Sequence, residues 1–66
     1  MEYGKGTKVM HIKTGAIETV VDTCKIKYEG EWVEGVIYEG NDRFTGAPMT
    51  FVRRKDEFEN EFTVDC

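Results

Sequence analysis

Apolar residues in this chain fall in short alternating runs broken by glycine-rich turns, and helical spacing surfaces only once, near the C-terminus. Thr7-Lys8-Val9-Met10-His11-Ile12 alternates as a strand does, with Val9 and His11 on one side and Met10 and Ile12 on the other. Lys13-Thr14-Gly15 supplies a turn, so a hairpin is predicted with Ile17 to Tyr28 as its return segment. In that segment Val20, Cys24, Ile26 and Tyr28 share a parity that Ile17 and Val21 break, which predicts a β-bulge or sharp bend at Val20 to Asp22. Glu29-Gly30-Glu31 forms the next turn and Trp32 to Glu39 the next strand. There Trp32, Glu34, Val36 and Tyr38 oppose Val33, Gly35 and Ile37, leaving the inward face open, and Gly35 marks a close backbone approach or a bend. Gly40 to Pro48 is rich in turn residues and leads into a strand at Met49 to Arg53. Phe58 and Phe62, four apart in an acidic stretch, predict a short helical or 3₁₀ turn capped by Asp56, then a closing strand at Phe62-Thr63-Val64. Met1 to Gly6 reads as a lead-in.

Composition sharpens this picture. The chain lacks Leu, Gln and Ser, while Val, Ile, Thr and aromatics are plentiful. Leu fills helical bundles, whereas β-branched and aromatic side chains suit a pleated, half-buried surface, so the expected class is all-β. With 66 residues only one domain, 1–66, is sensible. A chain this short buries about 60% of its unfolded surface, so the core should be thin.

Gly6-x-x-Val9, Lys13-Thr14-Gly15, Val20-Val21, the Gly30 to Trp32 hairpin and the aromatic-Val-Arg strand at Phe51 to Arg53 together resemble the small SH3-like barrels found in bacterial and bacteriophage proteins. The resemblance spans most of the chain and rests on turn glycines and core apolars, which report fold and no chemistry. It implies a barrel of about five short antiparallel strands acting as a binding module, with a phage accessory protein as one source. It carries over no functional residue.

Charge narrows the partners. Residues 1–28 carry five Lys and three acids, net +2, and residues 29–66 carry four Lys or Arg and ten acids, net −6. The overall −4 repels a phosphate backbone, so general nucleic-acid binding is not expected. No apolar run approaches the roughly 20 residues of a membrane span, and the first residues lack the apolar stretch of a signal peptide, making the cytoplasm, or a host's cytoplasm, the expected compartment. Two cysteines do not make a disulfide framework; Cys24 reads as a buried thiol and Cys66 as incidental.

Catalysis finds little support in the residue set. There is no Ser, and a Cys24 and His11 pair would sit in strand interiors rather than in the electropositive, partly exposed setting a reactive thiol needs. Three Cys and His residues without close spacing fall short of a zinc site, and the acids at Asp56, Glu57, Glu59 and Glu61 lack the loop pattern of a calcium site, so no metal or cofactor is expected. Glu34 and Glu39 read as solvent-facing strand acids rather than a general acid and base. Gly4-Lys5-Gly6-Thr7 is too short for a phosphate loop.

Two constellations remain as candidate partner-binding residues. Trp32, Tyr38 and Phe44, with Tyr3 and Tyr28, stand near turns and would offer contact area at low entropic cost, or would simply fill the core. Arg53 and Arg54, with Arg43 in the preceding loop, carry planar forks suited to an anion, or pair with the acids of the tail; strand alternation sends Arg53 and Arg54 to opposite faces. The leading expectation is a non-catalytic module engaging a protein partner through an aromatic groove with an acidic rim. The alternative is a small-ligand or nucleotide binder using Arg with aromatic stacking, and self-association through an exposed edge is a further option.

Overall fold

The computed structural model describes residues 4–42 and 44–64. Its elements run β1 (Lys8–His11), β2 (Ile17–Tyr28), β3 (Glu31–Asn41), β4 (Pro48–Arg54), α1 (Lys55–Glu61) and β5 (Phe62–Val64). The strands form one open antiparallel sheet in the order β4-β3-β2-β1-β5, so β4 and β5 are its two edges and α1 carries the chain from one to the other. Tyr3, Arg43 and Cys66 lie outside the described residues.

Local chemistry accounts for the turns. Tyr28 pairs with Glu31, leaving a two-residue loop in which Glu29 (φ 49°) and Gly30 (φ 83°) are both left-handed. That is the loop whose twist matches the strands it joins, and glycine at its second position removes half the steric cost. The expected irregularity in β2 is present: Val20 pairs with Tyr38 and Asp22 with Ile37, so Val21 is the extra residue of a bulge. Beyond it the side chains exchange faces. Val20 points inward, whereas Cys24 and Ile26 point outward over Gly35, where a β-carbon would collide with Ile26. Gly35 is thus the close approach its position suggested.

Register fixes the inner face as Val9 and His11 of β1, Val20 of β2, Val36 and Tyr38 of β3, Phe51 and Arg53 of β4, and Phe62 and Val64 of β5. Val9, Val20, Val36, Tyr38, Phe58 and Phe62 are buried there, with Phe51 and Val64 packed beside them. The core is as thin as the chain length required.

Helix α1 has seven residues, too few to persist alone. Its N-cap is Arg54, with no side-chain cap hydrogen bond; Asp56, expected to cap, lies inside the first turn, where its Oδ1 accepts the Glu57 N–H at 2.8 Å. The helix is held instead by Phe58, which enters the core and stacks on Phe62 at 4.4 Å. Among the described residues no helix is long and apolar enough to cross a membrane.

Candidate functional site

Because the two edge strands do not close on each other, the inner face of the sheet is open between β4, β5 and the two turns above them. A cleft of about 390 Å³ lies there, walled by Tyr38, Phe51, Phe62 and His11 and bordered by Glu18 and Asp42. Its aromatic walls are one packed group. Tyr38 sits 5.5 Å from Phe51, 5.3 Å from Phe58 and 5.1 Å from Phe62, and His11 lies 4.8 Å from Phe62.

Arg53 forms the floor of this region and joins three elements. Its Nε donates to the Tyr38 hydroxyl at 2.8 Å, and its Nη1 donates to Glu57 at 3.2 Å and Glu61 at 3.0 Å. Burial works against the guanidinium charge, but Tyr38, Glu61 and Glu57 outweigh it and hold the proton more firmly than usual. Glu61 also meets His11 Nε2 at 3.3 Å, while His11 Nδ1 faces the Thr14 hydroxyl at 3.0 Å. These contacts tie the β1–β2 turn to the helix.

Glu18 is the unusual member. It pairs with Val9 across β1 and β2 and so shares the inner face, a carboxylate where the strand pattern calls for an apolar side chain. Gly40 makes room for it, since a β-carbon there would run into the Glu18 carboxyl. Its Oε1 is buried without a hydrogen-bond partner among the described residues. Burial raises its pKa, with His11 and Arg53 pulling the other way. A buried acceptor left unsatisfied costs about 1–3 kcal/mol, so the Glu18 carboxylate does not stabilise the fold at this position.

The expected site residues divide between several places. Tyr38 is largely buried in the aromatic group and forms part of the cleft wall. Trp32 shares its face but lies six residues along β3, about 20 Å away, exposed at the hairpin tip with Lys27 Nζ 5.1 Å from its ring centroid. Phe44 is 89% exposed in the loop after Asp42, whose Oδ1 accepts the Phe44 N–H at 2.8 Å. Arg54 faces outward, lies 4.2 Å over the Tyr28 ring, and pairs with Asp56 at 3.2 Å and Glu57 at 3.7 Å. Both arginines are therefore engaged with the tail acids. Arg43 falls outside the described residues.

Cys24 is a half-buried free thiol on the outer face and His11 is on the inner one, so the two do not meet. Among the described residues no group of three or more His, Cys, Asp or Glu is placed to hold a metal. Glu18 was missed from sequence, although it lies two residues before Val20 in one strand and so had to share its face. Comparison of the chain with protein-family models, with curated proteins and with solved structures finds no match.

Proposed function

We propose that this chain is an SH3-like barrel that acts as a non-catalytic protein-binding module, taking a basic side chain of its partner into the cleft between β4 and β5. The order β4-β3-β2-β1-β5, with the last two strands linked by one short helix, supports the barrel assignment. A single observation carries the function: the half-buried Glu18 carboxylate, whose Oε1 is buried without a hydrogen-bond partner among the described residues, in a cleft walled by three aromatic rings. Ring faces and a desolvated carboxylate are the two groups that attract an ammonium or guanidinium, and Asp42 adds a second negative charge at the rim. Phe44 beside that rim offers an exposed anchor for the rest of the partner. The anion-binding alternative is weaker, because an incoming phosphate would have to displace Glu57 and Glu61 from Arg53, or Asp56 from Arg54.

Arrays of lysine- and arginine-containing peptides at low and high salt test this. Wild-type protein should bind basic peptides over acidic ones, and Glu18→Gln should weaken that binding by about tenfold or more, as expected for loss of a charge-assisted contact. Basic and acidic peptides bound equally, or Glu18→Gln binding as wild type does, would remove the proposal.

Stability supplies an independent check on the same residue. A carboxyl whose folded pKa is raised above its ordinary value of 4.5 contributes stability that is fully present below that pH and lost as pH rises through the folded value. Glu18→Gln should therefore melt higher than wild type at neutral pH, and the difference should close towards pH 4.5. In the binding assay the sign reverses: affinity for a cationic peptide should rise through the same pH window as Glu18 ionises.

A further inference from the structure

Strand β4 is an edge with open backbone groups. It pairs with β3 alone, in unbroken register from Asn41↔Pro48 to Gly35↔Arg54. The Asp42 N–H donates to the Ala47 carbonyl at 2.8 Å and sets the phase of this ladder. Met49, Phe51 and Arg53 therefore turn their backbone groups to β3, while Pro48, Thr50 and Val52 turn theirs outward. Pro48 fits this phase, since an outward position loses no ladder bond to a missing N–H. Among the described residues the outward N–H and C=O groups of Thr50 and Val52 take no backbone partner. The usual guards of an edge are lacking: β4 holds no lysine and no bulge, and its two arginines are engaged by acids of α1. The opposite edge offers less, because β5 has three residues and its Phe62 N–H is donated to the Phe58 carbonyl.

We propose that the partner binds as an extended segment added to the free edge of β4, with a lysine or arginine opposite Met49 and an apolar residue two positions away opposite Phe51. This rests on the cationic reading of the cleft and specifies the backbone that delivers the cation. In strand addition, main-chain hydrogen bonds supply affinity and alternate side chains supply specificity. The rows of the sheet fix those side chains. Val9 pairs with Glu18, the Glu18 carboxyl lies against Gly40, and Gly40 pairs with Met49, so a residue opposite Met49 continues the row that holds Glu18. The absent β-carbon of Gly40 is what lets the carboxyl lie that far towards β4. An added strand runs about 4.8 Å beyond β4, hence about 10 Å from β3. A lysine or arginine side chain spans roughly 6–7 Å and a charge-assisted hydrogen bond about 2.8 Å, so the cationic head reaches the carboxyl over Gly40. The next inward position faces Phe51, whose row continues through Tyr38 to Val20, and an apolar side chain belongs there. Charge selects the occupant: Glu18, Asp42, Glu57 and Glu61 on this inner side outnumber Arg53, which favours a basic segment over an acidic one.

The probe is a short capped peptide alternating valine and threonine, with one central valine replaced by lysine. Its affinity is measured by fluorescence titration for wild type, Thr50→Pro, Thr50→Ala and Glu18→Gln, and amide hydrogen exchange of the wild-type chain is followed by NMR with and without peptide. Thr50→Pro removes an outward donor and leaves the bonds to β3 in place, so it should bind about tenfold more weakly, whereas Thr50→Ala should bind as wild type does. Saturating peptide should slow exchange at Thr50 and Val52 by about tenfold or more, with little change at Met49 and Phe51, whose amides already bond to β3. The exchange measurement needs no variant to fold. Binding that depends on Glu18 but leaves Thr50→Pro at wild-type affinity and the Thr50 and Val52 amides unslowed overturns strand addition and leaves the cationic reading of the cleft standing. Slowed Thr50 and Val52 amides with Glu18→Gln binding as wild type overturn the cationic reading and the basic occupant with it. Failure of the peptide to bind at millimolar concentration overturns the proposal outright.

Discussion

Replacing Phe58 with alanine is expected to remove a large share of the chain's stability. Phe58 is fully buried, stacks on Phe62 with an interplanar angle of 11°, and packs against Tyr38 at 5.3 Å. Its removal costs about 3–5 kcal/mol through lost transfer energy and the cavity left behind. At roughly 0.05–0.15 kcal/mol per residue, a chain of this length has only about 3–10 kcal/mol of stability in total. The half-exposed Glu57 and Glu61 contacts with Arg53 and His11 do not replace this burial, and a seven-residue helix without a side-chain cap does not hold itself. With the helix released, β5 loses the connection that places it beside β1. Thermal and urea unfolding followed by circular dichroism check this, with Phe44→Ala as the control: that ring is 89% exposed, and its loss should change stability by about 0.5 kcal/mol or less. A Phe58→Ala protein with a cooperative melt within a few degrees of wild type would show that the aromatic group does not carry the fold.

The strands were legible because their cause is local. Alternation of β-branched and aromatic residues between turn glycines set β2 at Ile17–Tyr28 and β5 at Phe62–Val64 where the sequence places them, and the parity break at Val21 located the bulge. The inward face of β3 was undecided because both of its faces carry apolar residues, and the outer face indeed remains apolar in the fold. What selects Val36 and Tyr38 as the inner pair is the arrival of Phe58 and Phe62 from the far end of the chain. That contact is long-range, and no pattern within β3 records it.

The site was less legible for the same reason. Trp32 and Tyr38 share a parity and so looked like one surface, but parity says nothing about distance along a strand, and the helix covers one end of that face and leaves the other in solvent. Exposure of an aromatic depends on what the tail packs against. Glu18 was within reach: its spacing from Val20 dictates the same face, and a carboxylate among core positions is the informative exception. Alternation along β4 correctly sent Arg53 and Arg54 to opposite faces. Only geometry shows that Arg53 then meets Tyr38, Glu57 and Glu61 together.

Arg53→Met should therefore be the most damaging substitution outside the apolar core, costing about 2 kcal/mol. Methionine keeps an unbranched apolar stem of similar reach and removes the guanidinium, together with its contact 6.0 Å from the Phe62 ring centroid. What is lost is a fork that satisfies the hydroxyl of a buried tyrosine and separates two carboxylates facing one another from successive turns of α1. Breaking a partly desolvated charge network by deleting one member exceeds the worth of an exposed pair, although about a third of the Arg53 side chain remains in solvent and this limits the cost. Arg53→Lys should recover only part of the loss, because an ammonium lacks the planar fork that reaches three partners at once. Tyr38 gives a readout that packing alone would not move. Burial raises its pKa above 10 and the Arg53 hydrogen bond opposes that rise, so Arg53→Met should push the alkaline titration of this tyrosine higher still. A phenol with a raised folded pKa contributes stability that is complete below its unfolded pKa and disappears as pH climbs through the folded one, so the variant should also be the more base-sensitive protein. Urea midpoints and ultraviolet tyrosinate titrations on wild type, Arg53→Met, Tyr38→Phe and the double variant would measure both effects. If the two losses simply add, or if Arg53→Lys matches wild type, then Arg53 is a solvated surface cation and not the residue that locks helix, strand and aromatic core together.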